Sequence, residues 1–313
     1  MIWPFIPKNL TMDKPNVPGP VMAKLLIIAL DGLDASLVVR WSFRGLLQSS
    51  WGRHYVGFLK NLYTPIIWSC FLTGENVEEL GYDLDALRAM RRAEAFPPVL
   101  RQAYMIRRKL LSSRRLGLRA LLRKLGFFRG LPPANMPPRL RKRAFLEILR
   151  ERGLRVKAIE VPGYNERWNE HFRTALSRFI TAPMSKRLKF LDYCVRECER
   201  RVSLAIGELE RRRPDVLMLY LPLPDIAHHL FIKGLRASLV LHRIYWMAEG
   251  WAMAVREAAG PEYACLVVSD HGFDRRRKTH SDYGFWSLSL EPPFRPEKIT
   301  DFHRLVMELV GPS

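Results

Sequence analysis

Short apolar runs that each end on an acid or a histidine constrain this chain most. Lys24-Leu25-Leu26-Ile27-Ile28-Ala29-Leu30 closes on Asp31. Asp215-Val216-Leu217-Met218-Leu219-Tyr220-Leu221 leads to Asp225 and, four residues on, to His229. Cys265-Leu266-Val267-Val268-Ser269 closes on Asp270-His271, with His280 shortly after. Runs this short and this continuously apolar read as strands buried on both faces, as in a parallel sheet. Helical periodicity over Met184 to Arg212 and over 238–258 feeds two of them. Alternating strands and helices specify a doubly wound α/β sheet. Its polar residues then gather at the carboxyl ends of the strands, where open sheets place their active sites.

The residue types at those ends narrow the chemistry. Carboxylates mixed with imidazoles suit divalent metals such as zinc or manganese. Two such ions side by side serve phosphoryl chemistry. Each element alone is weak: an Asp after a strand is commonly a turn residue or helix cap, and His228-His229 alone could be a surface pair. Their joint position and order carry the reading. His228 is the alternative to His229, which the four-residue spacing from Asp225 favours.

Further elements follow along the chain. A helix is expected over Leu37 to Leu47 and a short strand over Arg53 to Phe58. In Thr64-Pro65-Ile66-Ile67-Trp68-Ser69-Cys70-Phe71-Leu72-Thr73-Gly74, Thr64 fits an N-cap, Pro65 the first helical position and Gly74 the stop. A helix over Leu140 to Arg152, a strand over Arg155 to Val161, a last strand over Gly284 to Leu288 and a closing helix over Ile299 to Leu309 complete the alternation. Residues 83–143 break it. Apolar residues there recur among many arginines, which reads as a basic helical cap inserted into the domain, ended by a Pro-rich stretch at 131–138.

Composition sets the class and the setting. A chain of 313 residues, 48% of them hydrophobic, buries a real core and is not disordered. No apolar stretch is long enough to span a membrane, and residues 1–21 lack the pattern of a signal peptide. They read as an upstream extension or a misassigned start, and the default location is cytoplasmic. Four cysteines are too few for a disulfide scaffold. Cys194 and Cys198, one helical turn apart, read as two thiols on a helix in preference to half a zinc site. The net charge of +20 implies anionic partners. A small phosphorylated substrate is one. An anionic membrane surface or a nucleic acid, met by the Arg-rich insertion, is another, although a solvated cap is the preferred reading of that insertion.

Four blocks together resemble the type I phosphodiesterase/nucleotide pyrophosphatase family of the alkaline phosphatase superfamily. They are Ile28-Ala29-Leu30-Asp31-Gly32, Thr64-Pro65-Ile66-Ile67-Trp68-Ser69-Cys70-Phe71-Leu72-Thr73-Gly74, Asp225-Ile226-Ala227-His228-His229, and Ser269-Asp270-His271-Gly272-Phe273 followed by His280. All stand in the family's order. The resemblance implies an alkaline-phosphatase-like three-layer α/β/α sandwich over residues 22–313. It implies that Asp31, Asp270 and His271 hold one metal ion, and that Asp225, His229 and His280 hold a second. Zinc is the ion most often found in the family; manganese or magnesium fit the same donors. Thr64 would be the nucleophile, forming a phospho-threonine that water then hydrolyses.

This sequence departs from the family pattern at Ile67, where the nucleotide pyrophosphatases carry an Asn. That puts nucleotide specificity in doubt. The expectation is therefore a metal-dependent phosphodiesterase acting on a nucleotide-like or other phosphodiester. A phosphomonoesterase or phosphotransferase of the same superfamily is the enzymatic rival. A membrane- or RNA-binding protein on an inactive metal fold is the rival of another class; the presence of all seven implied site residues speaks against it. The basic run Arg275-Arg276-Arg277-Lys278 reads equally as a solvated loop or as a contact to substrate phosphate.

Overall fold

The computed structural model describes residues 24–94, 135–232 and 234–311. Residues 1–21, and the Arg-rich stretch 95–134 of the expected cap, lie outside the described residues. Strands β1 (Lys24–Leu30), β2 (Ser50–Tyr55), β3 (Val156–Ile159), β4 (Val216–Leu221), β5 (Tyr263–Val268) and β8 (Tyr283–Leu288) form one sheet in the order β2-β8-β5-β1-β4-β3. The strands β3, β4, β1 and β5 pair in parallel, while β8 runs antiparallel to β5 and β2. A two-stranded hairpin of β6 (Phe273–Asp274) and β7 (Thr279–His280) stands apart.

Helices cover both faces, so the fold is a three-layer α/β/α sandwich around a largely parallel sheet. In a strand, successive side chains point to opposite faces. Leu26, Ile28 and Leu30 of β1 join one core cluster, and Leu25, Ile27 and Ala29 join the other. The first cluster is covered by the long helices α7 (Met184–Arg212) and α9 (Leu235–Ala259). The second is covered by α2 (Thr64–Thr73), α5 (Phe145–Glu151) and α10 (Asp301–Val310). Cys194 and Cys198 sit buried in the first cluster, where burial pushes the Cys198 thiol up to about 12. They pack there as small apolar groups.

The remaining elements are α1 (Ala35–Arg40), α3 (Leu84–Glu94), α4 (Pro138–Arg141), α6 (Asn169–Phe179) and α8 (Asp225–Leu230). Several bounds differ from the sequence reading. The first helix stops at Arg40, and the chain turns through Ser42, whose φ of +58° is left-handed. The helix expected over 140–152 is two pieces, α4 and α5, with Arg143 and Ala144 closing a turn between them. Thr64 is the first helical residue of α2, not its N-cap; Tyr63 takes that position with extended backbone and Pro65 is second. Gly74 does end that helix in the left-handed conformation. No helix among the described residues is long and apolar enough to cross a membrane.

The register sets the site. Leu30 pairs with Leu221, and Ala29 with Val268, so β1, β4 and β5 finish level with one another. The Asp31 amide then donates to Leu221 O at 3.0 Å, and the Asp225 amide donates to Asp31 O at 2.8 Å. Gly32 makes this approach feasible. Its φ is +69°, and a Cβ there would lie 2.6 Å from Asp225 Cβ and 2.7 Å from Asp225 Cα. Gly32→Ala is expected to destabilise the fold by about 2–4 kcal/mol, from left-handed strain plus overpacking. Thermal unfolding checks the stability, and the same displacement of Asp225 should weaken metal uptake in a titration.

Candidate metal centre

Six of the residues named from sequence converge beyond the ends of β1, β4 and β5. Asp31, Asp270 and His271 form one group: His271 Nε2 lies 3.5 Å from Asp31 Oδ1 and 3.5 Å from Asp270 Oδ2. Asp225, His229 and His280 form a second. Asp225 Oδ1 lies 3.3 Å from His229 Nε2 and 3.6 Å from His280 Nε2, and the two imidazole nitrogens are 2.9 Å apart. The groups abut, because the His271 and His280 rings stack with centroids 3.8 Å apart. His271 also comes within 4.8 Å, ligand atom to ligand atom, of both Asp225 and His280.

Backbone contacts aim the imidazoles. His271 Nδ1 donates to Gly272 O at 3.0 Å, and His280 Nδ1 donates to Leu62 O at 2.9 Å. With Nδ1 carrying the proton, each ring presents the Nε2 lone pair to the centre, which is the usual arrangement behind a metal-ligating histidine. His228 is differently placed. It is buried, its Nε2 is 2.9 Å from the Tyr245 hydroxyl, and its ring stacks on Phe273 at 4.9 Å. Burial lowers its pKa to about 4, so it stays neutral in the core. His228→Ala is expected to lower the melting temperature but leave metal stoichiometry intact, whereas His229→Ala should release about one equivalent; elemental analysis of the two purified variants separates them.

Burial and neighbouring charges pull the three carboxylates in opposite directions. Burial, with the Asp270 and Asp225 carboxylates nearby, pushes Asp31 well above the usual range. Burial also pushes Asp270 up to about 7. Burial acts on Asp225 in the same direction, yet His229, His280 and His271 hold it well below its ordinary value. Three carboxylates in one buried pocket repel each other unless a cation lies between them. Four buried atoms aimed into the centre have no hydrogen-bond partner: Asp31 Oδ1, Asp225 Oδ1, Asp270 Oδ2 and His271 Nε2. Buried polar atoms are rarely left so. Carboxylate oxygens and imidazole nitrogens in this number fit divalent cations.

Thr64 is 5% exposed and begins α2. Two contacts tie that helix start to the centre. Leu62 O, two residues before Thr64, holds His280. Trp68, one turn after it, packs edge-on against Tyr220 at 5.9 Å, and the Tyr220 hydroxyl donates to Asp31 Oδ2. At this helix start Pro65 has no N–H, and the Ile66 and Ile67 amides donate to Tyr63 O at 2.8 and 3.1 Å.

Several supporting groups escaped the sequence reading. Tyr220 was hidden as one more large residue in an apolar strand; a lone hydroxyl one position from the strand's end was the signal. Asp34 caps α1 through Ser36 N at 2.9 Å and also accepts from Phe273 N at 3.2 Å, clamping the loop after His271. Ser269 Oγ accepts from Leu33 N at 2.8 Å and donates to His271 O at 2.6 Å.

No protein-family model matches the chain, and no curated protein matches it. Among solved structures, murine ectonucleotide pyrophosphatase/phosphodiesterase 5 aligns with 80% of this chain at 14% identity and a TM-score of 0.37. An inactive variant of that protein in complex with AMP aligns over the same share at 13% identity and a TM-score of 0.39. This chain covers 57% of the length of each.

Proposed function

We propose that this protein is a metal-dependent phosphoesterase that cleaves phosphodiesters through Thr64. The observation that carries the proposal is the convergence of unpartnered buried ligand atoms from Asp31, Asp225, Asp270 and His271 at one end of the sheet, beside the start of α2. Asp31, Asp270 and His271 would hold one divalent ion, and Asp225, His229 and His280 the other; zinc, manganese or magnesium suit these donors. A pair of bound ions would lower the pKa of the threonine hydroxyl and offset charge on the leaving oxygen.

The chain's own groups supply the rest. At the start of α2 Pro65 has no N–H and the Ile66 and Ile67 amides donate to Tyr63 O, so the Thr64 amide is the one that would meet a phosphoryl oxygen. Thr64 Oγ forms a bond to phosphorus as the bond to the leaving oxygen breaks. The alcohol departs with a proton, matching the one lost by Thr64. Water then attacks the phospho-threonine, restores the hydroxyl and releases a phosphomonoester. Tyr220 and the backbone carbonyls of Leu62 and Gly272 fix Asp31, His280 and His271 throughout, so little reorganisation is needed during reaction.

Substrate breadth follows from Ile67. It is fully buried in the core, so the position at which the resembling family carries an Asn offers a substrate no polar contact here. The reading is thus a phosphodiesterase acting on a nucleotide-like or other phosphodiester. Metal content, together with rates on an aryl phosphodiester and an aryl phosphomonoester, tests it. Faster cleavage of the diester by metal-replete protein, abolished by a chelator, is expected. Faster cleavage of the monoester would favour a phosphomonoesterase, and no metal with no turnover would sink the proposal.

A further inference from the structure

A cavity of about 270 Å³ opens beside His229. Ile180, Met184 and Phe231 give it apolar walls, and Arg187 and Lys278 add two cations; no acidic side chain lines it. Two elements far apart in sequence build it. Arg187, from α7, donates through Nη1 to Leu230 O at 2.7 Å, closing the end of α8, and its guanidinium lies 5.7 Å from the Phe231 ring. Its Nε is buried and has no hydrogen-bond partner. Lys278 comes from the hairpin between His271 and His280.

That hairpin divides the basic run into different uses. Arg275 donates to Ile232 O at 3.0 Å, which fastens the hairpin to the cavity wall. The Arg276 and Arg277 amides donate to Asp274 Oδ1 at 2.8 and 3.0 Å, and their side chains are exposed. Of the run, Lys278 alone lines the cavity, and it too is exposed. The run is neither wholly solvated nor wholly a phosphate contact.

We propose that this cavity receives the leaving group of the phosphodiester, and that it selects an apolar group bearing a negative charge. The inference rests on the phosphodiesterase reading above, and takes the ion that Asp225, His229 and His280 would hold, beside this cavity through His229, as the one nearer the leaving oxygen. A space just below the usual range for a whole ligand takes one part of a molecule. Apolar walls reward burial of a carbon skeleton. The Lys278 ammonium, with the Arg187 guanidinium in the wall, rewards an anion at its end, since charge-assisted hydrogen bonds are the strong ones. A neutral hydrophilic leaving group would leave both cations unmatched.

The test compares methyl 4-nitrophenyl phosphate with methyl 3-carboxy-4-nitrophenyl phosphate, using metal-loaded protein. The ratio of their kcat/KM values, carboxylated over plain, is measured in wild type and in Lys278→Ala. Comparing ratios cancels the intrinsic reactivity of each leaving group. The ratio should fall about tenfold in the variant, the effect of one lost charged hydrogen bond. A ratio within twofold of wild type overturns the proposal. Calorimetry with the released product, 5-hydroxy-2-nitrobenzoate, reads the cavity without turnover. Met184→Trp, which fills the space, should weaken that binding at least about fivefold, and Lys278→Ala about tenfold. If neither ester is cleaved, the phosphodiesterase reading fails, and the product titration still decides the cavity: equal binding by wild type and both variants sinks it.

Discussion

Thr64→Ala is expected to lower turnover of an aryl phosphodiester by at least about 10³-fold, because removing a nucleophile leaves only attack by water in an intact site. The substitution should leave the rest of the protein in place. Thr64 makes no side-chain cap for α2, whose N-cap is Tyr63, and Pro65 still fixes the helix start. The lost methyl and hydroxyl together should reduce stability by about 1–2 kcal/mol. Circular dichroism, thermal unfolding and metal content of the purified variant establish that background. Rapid quenching of the wild type with excess substrate should trap a phosphorylated protein, located by mass spectrometry on the peptide containing Thr64, and the variant should show none. Turnover near wild type in a metal-replete Thr64→Ala protein would remove the covalent mechanism while leaving the metal centre standing.

How much of this was legible depended on where each signal lay. The strands β1, β4 and β5 could be read because continuous burial leaves a continuous apolar run, and Met184–Arg212 because helical periodicity over so many residues has no competitor. The reversed direction of β8 could not be read, since an apolar run does not state which way its strand points. The helix Asn169–Phe179 escaped because Trp168 caps it without a side-chain hydrogen bond. The helix Asp225–Leu230 escaped because Pro222 and Pro224 precede it and it lasts under two turns. Within the candidate site, places at or soon after strand ends drew attention to Asp31, Asp225, Asp270 and His271, and their joint order carried the reading. One turn of α8 separates Asp225 from His229, so both reach the same side while His228 turns into the core. What orients these side chains was invisible, because it comes from backbone carbonyls of Leu62 and Gly272 and from Tyr220, contacts that only the folded chain brings about.

Asp270→Asn should reveal whether the centre is built for cations through a reversal of sign. A buried, hydrogen-bonded carboxylate in an ordinary core stabilises the fold, and its removal is harmful. Here Asp270 lies against Asp31 and Asp225, and all three are buried. Burial pushes Asp270 from its ordinary 3.8 up to about 7. A carboxyl raised on folding binds its proton more tightly in the native state than in the unfolded one. Its contribution to stability therefore falls as pH rises from about 4 to about 7, the window between the two values. Asparagine keeps an oxygen for the Gly32 amide, which donates to Asp270 Oδ1 at 3.3 Å, and removes the charge. In metal-free protein the variant should melt close to wild type near pH 4 and a few degrees above it at pH 7. Adding zinc or manganese should invert the order. The wild type gains stability in proportion to the logarithm of free metal over its dissociation constant. The variant, lacking one ligand of the first group, should gain less, bind about one equivalent fewer and lose at least about 10²-fold in turnover. A metal-free Asp270→Asn protein that melts below wild type at pH 7, or one that metal stabilises as fully as wild type, would show that these carboxylates are structural and that the cation lies elsewhere.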